Sequence, residues 1–303
     1  MLSLVKKPAF AIVILATLMN SGCILISRKT RIPTEQQLLP AQSRTRAELL
    51  QDLDERSKSI SSLTAKVLLD VTSGRNKSDV LTEYRQTQGI LIVDRPKQVR
   101  IRVLAPVVST TVVDMVSDGS QYRVSIPITN KFLIGDANAP PTSKNTLLNL
   151  RPQHILDALF VDTQGYESNP QIVPLLEEAT SGRVRYYVIQ FVDVAGKDSR
   201  LLEKVWVDRT NLQVTRKQMF TGDGRVETDV QYSSYLNLEG TAFPQVISIE
   251  RPVEDYSLRL TFQPANLKMN GKVSSDAFQL ERPAGSELVQ ADNPGPRPKK
   301  DKQ

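Results

Sequence analysis

The side chains that most often carry catalysis or bind metals are scarce in this chain. Cys23 is the only cysteine and His154 is the only histidine among 303 residues. An intrachain disulfide and a cysteine-based metal site are therefore excluded. A nucleophile paired with a histidine base would have to use His154, and no cluster of candidate partners surrounds it in the sequence. The sequence thus predicts a protein that is not an enzyme and that needs no metal and no cofactor.

Two acids remain as a possible acid-base pair. Glu177 and Glu178 are adjacent, within a segment from Val173 to Glu178 that is compatible with a turn of helix in an otherwise irregular region. Adjacent residues on a helix do not face each other, so this pair is interpreted as solvated surface. His154 stands at the start of a short predicted helix, and we interpret it as a surface or capping residue.

Cys23 lies where an N-terminal export signal would end. Lys6 and Lys7 precede an apolar run from Pro8 to Met19, which is short for a bilayer span. Small residues stand directly before the cysteine. An ordinary secretory signal with an incidental cysteine, or an uncleaved anchor, would give a similar pattern.

The sequence Ser21-Gly22-Cys23 resembles the lipobox of bacterial lipoproteins, although Asn20 replaces the aliphatic residue that this family prefers. The resemblance implies cleavage before Cys23, diacylation of its sulfur by chains such as palmitate, and acylation of the new N-terminus. Each buried CH₂ contributes about 0.8 kcal/mol, so three chains would anchor the protein stably in a membrane. Ile24 replaces the Asp that marks inner-membrane retention in enterobacterial lipoproteins, which favours the outer membrane, facing the periplasm, over the inner membrane.

Most of the remaining sequence has the pattern of β-strands. Between Leu81 and Ile134 apolar runs alternate with turns such as Ser117–Ser120. In Val99–Val103 apolar residues alternate with arginines at a period of two, which predicts one buried and one solvated face. A second series of strands runs from Arg183 to Phe262, with hairpin turns such as Thr221–Gly224.

Two helices and two polar segments complete the prediction. Residues 44–63 carry an apolar stripe of leucines, and Pro152 is placed to begin a short helix. The predicted organisation is therefore a signal (1–22), a lipidated N-terminus and tether (23–43), one domain (44–280) and a disordered tail (281–303).

Charge gives little further guidance. The formal net charge is +6, without a basic run interleaved with aromatic residues. Nucleic acid is therefore a poor partner, while weak attraction to anionic lipid head groups is compatible with this charge.

The order of helix, long meander, helix and further strands resembles the LolA/LolB family of lipoprotein carriers and acceptors over residues 44–265. The resemblance rests on Gly89, Arg95, Pro96, Arg100, Pro106, Asp118, Gly119, Tyr122, Asp208, Phe243 and Pro244. It implies a mainly β (α+β) fold, a half-open antiparallel β-barrel closed by short helices. It also implies a hydrophobic cavity for lipid or lipoprotein acyl chains, with a periplasmic carrier protein as a further partner.

Inward-pointing residues of this cavity are assigned from strand alternation. They are Val67, Leu69, Val99, Ile101, Val103, Tyr122, Val124, Trp206, Leu258, Leu260 and Phe262. The function expected is that of a membrane-anchored envelope lipoprotein that takes part in lipid or lipoprotein trafficking. The alternative is a structural or sensor lipoprotein with a packed barrel and no lipid cargo.

Overall fold

The computed structural model describes residues 37–74, 82–105, 110–139 and 149–291. Three α-helices lie in this part of the chain: α1 (Arg46–Lys58), α2 (Pro152–Leu159) and α3 (Gln164–Glu167). The strands in chain order are β1 (Ser62–Ser73), β2 (Thr82–Asp94), β3 (Gln98–Leu104), β4 (Thr111–Ser117), β5 (Gln121–Ile126), β6 (Lys131–Asp136), β7 (Ile172–Ser181), β8 (Val184–Asp193), β9 (Arg200–Asp208), β10 (Val214–Phe220), β11 (Val226–Leu238), β12 (Thr241–Arg251), β13 (Tyr256–Phe262), β14 (Lys268–Met269) and β15 (Glu287–Gln290).

These strands form one sheet made of two antiparallel meanders. The first meander is β1 to β6 and the second is β7 to β13, and β1 pairs with β13 to join them. In that junction Val67 lies opposite Phe262, and Leu69 lies opposite Leu260. β15 adds to β6 as a parallel strand, and β14 pairs with the start of β1.

The predicted mainly β class is confirmed, whereas closure of the sheet is not. The order of strands runs from β15 at one end to β7 at the other. Within the described residues no ladder joins these two end strands, so the sheet is open. The strand pairing therefore establishes an open sheet and does not confirm the expected half-open barrel.

Strand β3 illustrates how the alternating pattern folds. Val99 and Ile101 are fully buried on one face. On the other face Arg100 pairs with Asp114 of β4 at 2.7 Å, and Arg102 approaches the same carboxylate at 3.4 Å. The arginines therefore cross-link neighbouring strands on the outer face, where opposite charges stabilise a sheet.

Helix α1 is shorter than the predicted 44–63. Thr45 forms a capping box with Glu48, which fixes the start of the helix at Arg46. The helix ends at Lys58, and Leu63, which the sequence placed on its apolar stripe, belongs to β1. Leu49 and Leu53 are the buried leucines that hold α1 on the sheet.

Two expectations about local structure are wrong. The segment that contains Glu177 and Glu178 is strand β7, not irregular chain or a turn of helix, because all ten of its residues pair with β8. Likewise, a disordered tail from residue 281 is contradicted by β15, whose residues Glu287–Gln290 pair with β6. The last residues of that predicted tail, 292–303, lie outside the described residues.

Gly89 lies at a crowded point of the sheet and supports a first prediction. A Cβ at this position would clash with Leu69 Cδ1 and would lie 3.2 Å from Val67 Cγ2 and 3.3 Å from the Arg102 carbonyl oxygen. We expect Gly89→Ala to lower the free energy of unfolding by about 1–3 kcal/mol through overpacking, as measured by urea denaturation.

The matched control is Gly165→Ala in α3, where a Cβ would meet no atom within 4 Å. This control is expected to leave stability unchanged or slightly raised, because alanine favours helix more than glycine does. Equal stability of Gly89→Ala and the wild type would contradict the crowding.

Candidate lipid-binding site

Helices α1 and α2 cover one face of the sheet, and the apolar core lies between them. Leu49 and Leu53 of α1 and Ile155, Leu156 and Leu159 of α2 belong to one buried cluster with the inward residues of the strands. A sheet that is apolar on one face must be covered, since exposed apolar area costs about 25 cal/mol per Å². The two helices supply this cover.

Most of the predicted inward residues lie in this core. Val67, Leu69, Val99, Ile101, Tyr122, Val124, Leu258, Leu260 and Phe262 are all buried members of the cluster. Val103 is half-buried near the end of β3. Cys23, the predicted site of lipidation, lies outside the described residues.

The inward orientation predicted for Trp206 is wrong. Val205 and Val207 of β9 are buried in the core, so Trp206 between them points to the opposite face. There its ring is half-buried, and the Arg216 guanidinium lies 5.2 Å from the ring centroid. Arg216 is in turn held by Asp229, with 2.8 Å from Nε to Oδ1. Trp206 thus belongs to the outer face of the sheet.

A cavity of about 60 Å³ lies between the two helices and strands β10 to β12. Its wall is mainly apolar and includes Leu53, Ile60, Leu159, Phe160, Val161, Val214, Ala242, Phe243 and Pro244, with Arg56, Ser57, Tyr232 and Tyr235 as polar members. This volume holds a few water molecules or the end of a hydrocarbon chain, since one water needs roughly 10–15 Å³ on this measure. It does not hold a whole acyl chain.

None of the residues predicted to form the cavity lines it. The predicted residues lie on β1, β3, β5, β9 and β13, whereas the cavity lies over β10 to β12 and the ends of the helices. Strand alternation identifies the inner face of a sheet but not where the helices leave space above it. Sequence reasoning therefore predicted the residues of the core but not the residues that line the cavity.

Arg95 connects the two covering helices beside this cavity. Its Nη1 donates to the carbonyl oxygens of Ser57 and Ile60 at the end of α1. Its Nη2 lies 3.0 Å from Asp162 Oδ2, beyond the end of α2. The guanidinium also lies 4.7 Å from the centroid of the Phe160 ring. We call this arrangement the Arg95 clasp; it holds the segments after the two helices together.

The C-terminal end of helix α2 is tied to the sheet. Lys217 Nζ donates to the carbonyl oxygens of Asp157 and Phe160 at 2.9 and 3.0 Å. Tyr232 donates its hydroxyl to the Ala158 carbonyl at 2.9 Å. These bonds satisfy carbonyl groups that a helix end leaves without partners.

A small group of buried polar residues lies beneath α2. Glu203 of β9 is almost fully buried, 3.7 Å from Lys217 Nζ, and accepts a hydrogen bond of 3.1 Å from the Tyr166 hydroxyl. Burial raises the pKa of the Glu203 carboxyl, and Lys217 and Tyr166 oppose this rise. Burial likewise raises the pKa of Asp157 on α2, which accepts a hydrogen bond of 2.9 Å from Gln153.

His154 is neither a surface residue nor a helix cap. Its Nδ1 lies 2.7 Å from the Tyr256 hydroxyl of β13, between α2 and the sheet. Burial, together with the positive charges of Arg251 and Arg151, lowers the pKa of His154 well below its usual range. The hydrogen bond between His154 and Tyr256 thus joins the start of α2 to β13 of the sheet.

The described residues contain no group of three or more His, Cys, Asp and Glu side chains that could hold a metal ion. In the same part of the chain, no helix is long and apolar enough to cross a membrane. The features brought together at the site are therefore an apolar cavity, a clasp and a helix fixed by hydrogen bonds.

The half-buried carboxyl of Asp157 generates a prediction on how stability depends on pH. A carboxyl whose pKa is raised on folding binds its proton more tightly in the folded state, so ionisation destabilises the fold as pH rises above the unfolded pKa of about 3.9. We therefore expect Asp157→Asn to raise the melting temperature at pH 8, with a gain that shrinks as pH falls toward 4.

Scanning calorimetry between pH 4 and pH 8 would measure the difference. Glu281→Gln, which removes the same charge at an exposed position, serves as the control and is expected to leave the melting temperature close to that of the wild type. A gain for Asp157→Asn that grows at low pH would contradict the assigned cause.

Comparison with known proteins identifies the fold and nothing finer. No family model matches the chain, and no curated protein matches it. Among solved structures, a LolA superfamily protein from Nitrosomonas europaea has a TM-score of 0.50 at 13% identity and covers 78% of this chain and 99% of its own length. A DUF1329 family protein from Desulfovibrio piger has a TM-score of 0.53 at 12% identity and covers 77% of this chain and 95% of its own.

At these identities the likeness concerns the arrangement of the chain in space. It agrees with the resemblance carried by Gly89, Arg95 and the other residues of the strand-and-turn pattern. The chain therefore has the LolA-like fold, a large antiparallel sheet whose apolar face is covered by a few short helices.

Proposed function

We propose that the protein is a non-catalytic lipoprotein of the bacterial envelope that binds acyl chains of lipids or lipoproteins between its sheet and helices α1 and α2. The observation that supports this best is the apolar cavity at the junction of the two helices, beside the Arg95 clasp. The fold and the predicted lipid anchor at Cys23 support the same assignment. In this proposal the sheet and helices act as a half-open barrel on the periplasmic side of the outer membrane.

The cavity marks the point of entry in a closed form of the protein. An acyl chain could lie there fully only if α1 and α2 moved apart, which would break the clasp. Burying a sixteen-carbon chain contributes on the order of 12 kcal/mol. Hydrogen bonds to charged groups, such as the three of the Arg95 guanidinium, contribute roughly 1.5–3 kcal/mol each. Burial of a sixteen-carbon chain can therefore offset the loss of the clasp.

The clasp gives the proposal a direct prediction. Arg95→Leu removes the bonds to Ser57, Ile60 and Asp162, so the open form becomes easier to reach. If this lowers the cost of opening by about 1.4 kcal/mol, the apparent Kd for a fluorescent long-chain fatty acid falls about tenfold, with faster association.

Arg85→Leu is the matched control, because Arg85 is an exposed arginine of the neighbouring strand that bonds only to Glu83 among the described contacts. Stopped-flow fluorescence would compare the two variants with the wild type. If Arg95→Leu folds and binds the fatty acid as the wild type does, the clasp does not limit access of an acyl chain to the cavity.

The first test of the function itself is native mass spectrometry of the protein with Cys23→Ser, so that its own anchor is absent. Adducts of lipid mass that are lost on adding organic solvent, together with saturable binding of the fatty acid, would support the proposal. A mass without lipid adducts, together with no saturable binding of the fatty acid, would contradict the proposal.

A second function is favoured by one observation. The core is filled, the cavity is small, and α2 is tied to the sheet by Lys217, Tyr232 and His154. A packed scaffold or sensor in the envelope, without lipid cargo, would have these features. A clean mass in the experiment above would favour this second function.

A further inference from the structure

The two ends of the sheet differ strongly in length. β15 at one end has four residues, whereas β7 at the other end has ten, all paired with β8. Among the described residues no strand pairs with the outer side of β7. Long free edges are unusual, because their unpaired amides bind other strands, and proteins normally shorten or block them.

The ladder shows which amides of β7 point outward. Ser181 and Val184 flank a two-residue turn, in which Gly182 has φ of 58°. Residues that flank such a turn form a hydrogen-bonded pair, and bonded and non-bonded pairs alternate along antiparallel strands. The amide N–H and carbonyl groups of Leu176, Glu178 and Thr180 therefore point away from β8.

The first half of the same edge is blocked. Ile172 donates its amide N–H to the Asn169 carbonyl at 3.0 Å. Pro174 has no N–H, and its carbonyl accepts a hydrogen bond of 2.9 Å from Arg46 of α1. Blocking thus stops after Pro174. No described residue pairs with the outer side of the five residues from Leu176 to Thr180, which we call the β7 edge.

The side chains along the edge indicate what that strand would carry. Leu175 is 46% exposed, and it lies on the same face as Glu177, which is also exposed. The Glu178 side chain on the other face is 64% exposed and forms an ion pair with Arg209 at 2.5 Å, so of the two acids Glu177 is the one without an arginine partner among the described contacts. An added strand would place its side chains directly beside these residues, where opposite charges and apolar pairs stabilise and like charges destabilise.

We propose that the β7 edge binds an extended segment of a partner protein, with alternating basic and apolar side chains, as an additional strand of the sheet. A second copy of this chain fits less well. Pairing of two β7 edges would bring Glu177 and Glu178 of both copies together, and the like charges would repel. This proposal does not depend on the acyl-chain cavity.

The test uses a synthetic peptide of about ten residues with alternating Lys and Val, and a control peptide with Glu in place of Lys. Binding is followed by fluorescence anisotropy, and the site by amide hydrogen exchange of the whole protein. We expect the Lys peptide to bind at least about tenfold more tightly than the Glu peptide and to protect the amides of Leu176, Glu178 and Thr180.

A matched pair of variants separates the backbone from the charge. Glu178→Pro removes one outward N–H without touching a bond to β8, and binding should weaken about tenfold or more, as expected for a lost strand-to-strand hydrogen bond beside a steric block. Glu178→Gln keeps this N–H and should retain most of the affinity. Circular dichroism checks that both variants fold.

Three results would overturn the proposal. They are absence of binding of the Lys peptide, equal binding of this peptide to Glu178→Pro, and protection of the β7 edge in the free protein together with a dimer in size-exclusion chromatography. The last result would assign the edge to a second copy. If Glu178→Pro does not fold, hydrogen exchange of the wild-type protein with the Lys peptide still tests whether the peptide protects the β7 edge.

Discussion

The pairing of β1 with β13 is the interaction on which the rest of the structure depends. Without it the chain would form two separate meanders, each with an apolar face too large for a single short helix to cover. The seven paired positions from Val67 to Ser73 join them into one surface. Only then do α1, from the start of the domain, and α2, from its middle, lie over a common core. The cavity and the Arg95 clasp exist because these two helices end next to each other above that joined sheet.

Much of this architecture follows from local patterns in the sequence. The alternation in Val99–Val103 predicts β3 to within one residue at each end, because arginines and aliphatic residues at a period of two indicate one solvated and one buried face. β7 was missed since Leu175, Leu176, Glu177 and Glu178 are also good helix formers, and pairing with β8 overrides that preference. β15 was missed because a four-residue strand in a segment rich in proline and charge has no signal of its own, and forms only where β6 offers an edge.

The site was predicted less well than the fold, for a physical reason. In β9 the residues Glu203, Val205 and Val207 face the core, whereas Leu202, Lys204 and Trp206 do not. Hydrophobicity alone would place Trp206 in the core and Glu203 on the outer face. The pairing of β9 with β10 determines which face of β9 points inward, because it brings Lys217 close to Glu203. Lys217, which is itself bonded to α2, provides the partner that lowers the cost of burying Glu203. Such long-range compensation cannot be read from the sequence of one strand.

The union of β1 with β13 also governs the order in which the protein can be made. Paired residues of the two strands lie between 183 positions (Ser73 and Tyr256) and 195 positions (Val67 and Phe262) apart, so the ribosome releases β1 long before its second partner exists. The first meander must wait with one open edge and an uncovered apolar face, and folding that depends on such distant contacts is slow. During that interval the open edge of β1 and the uncovered apolar face are exposed to aggregation, so the distance along the chain between the two strands sets how long this risk lasts.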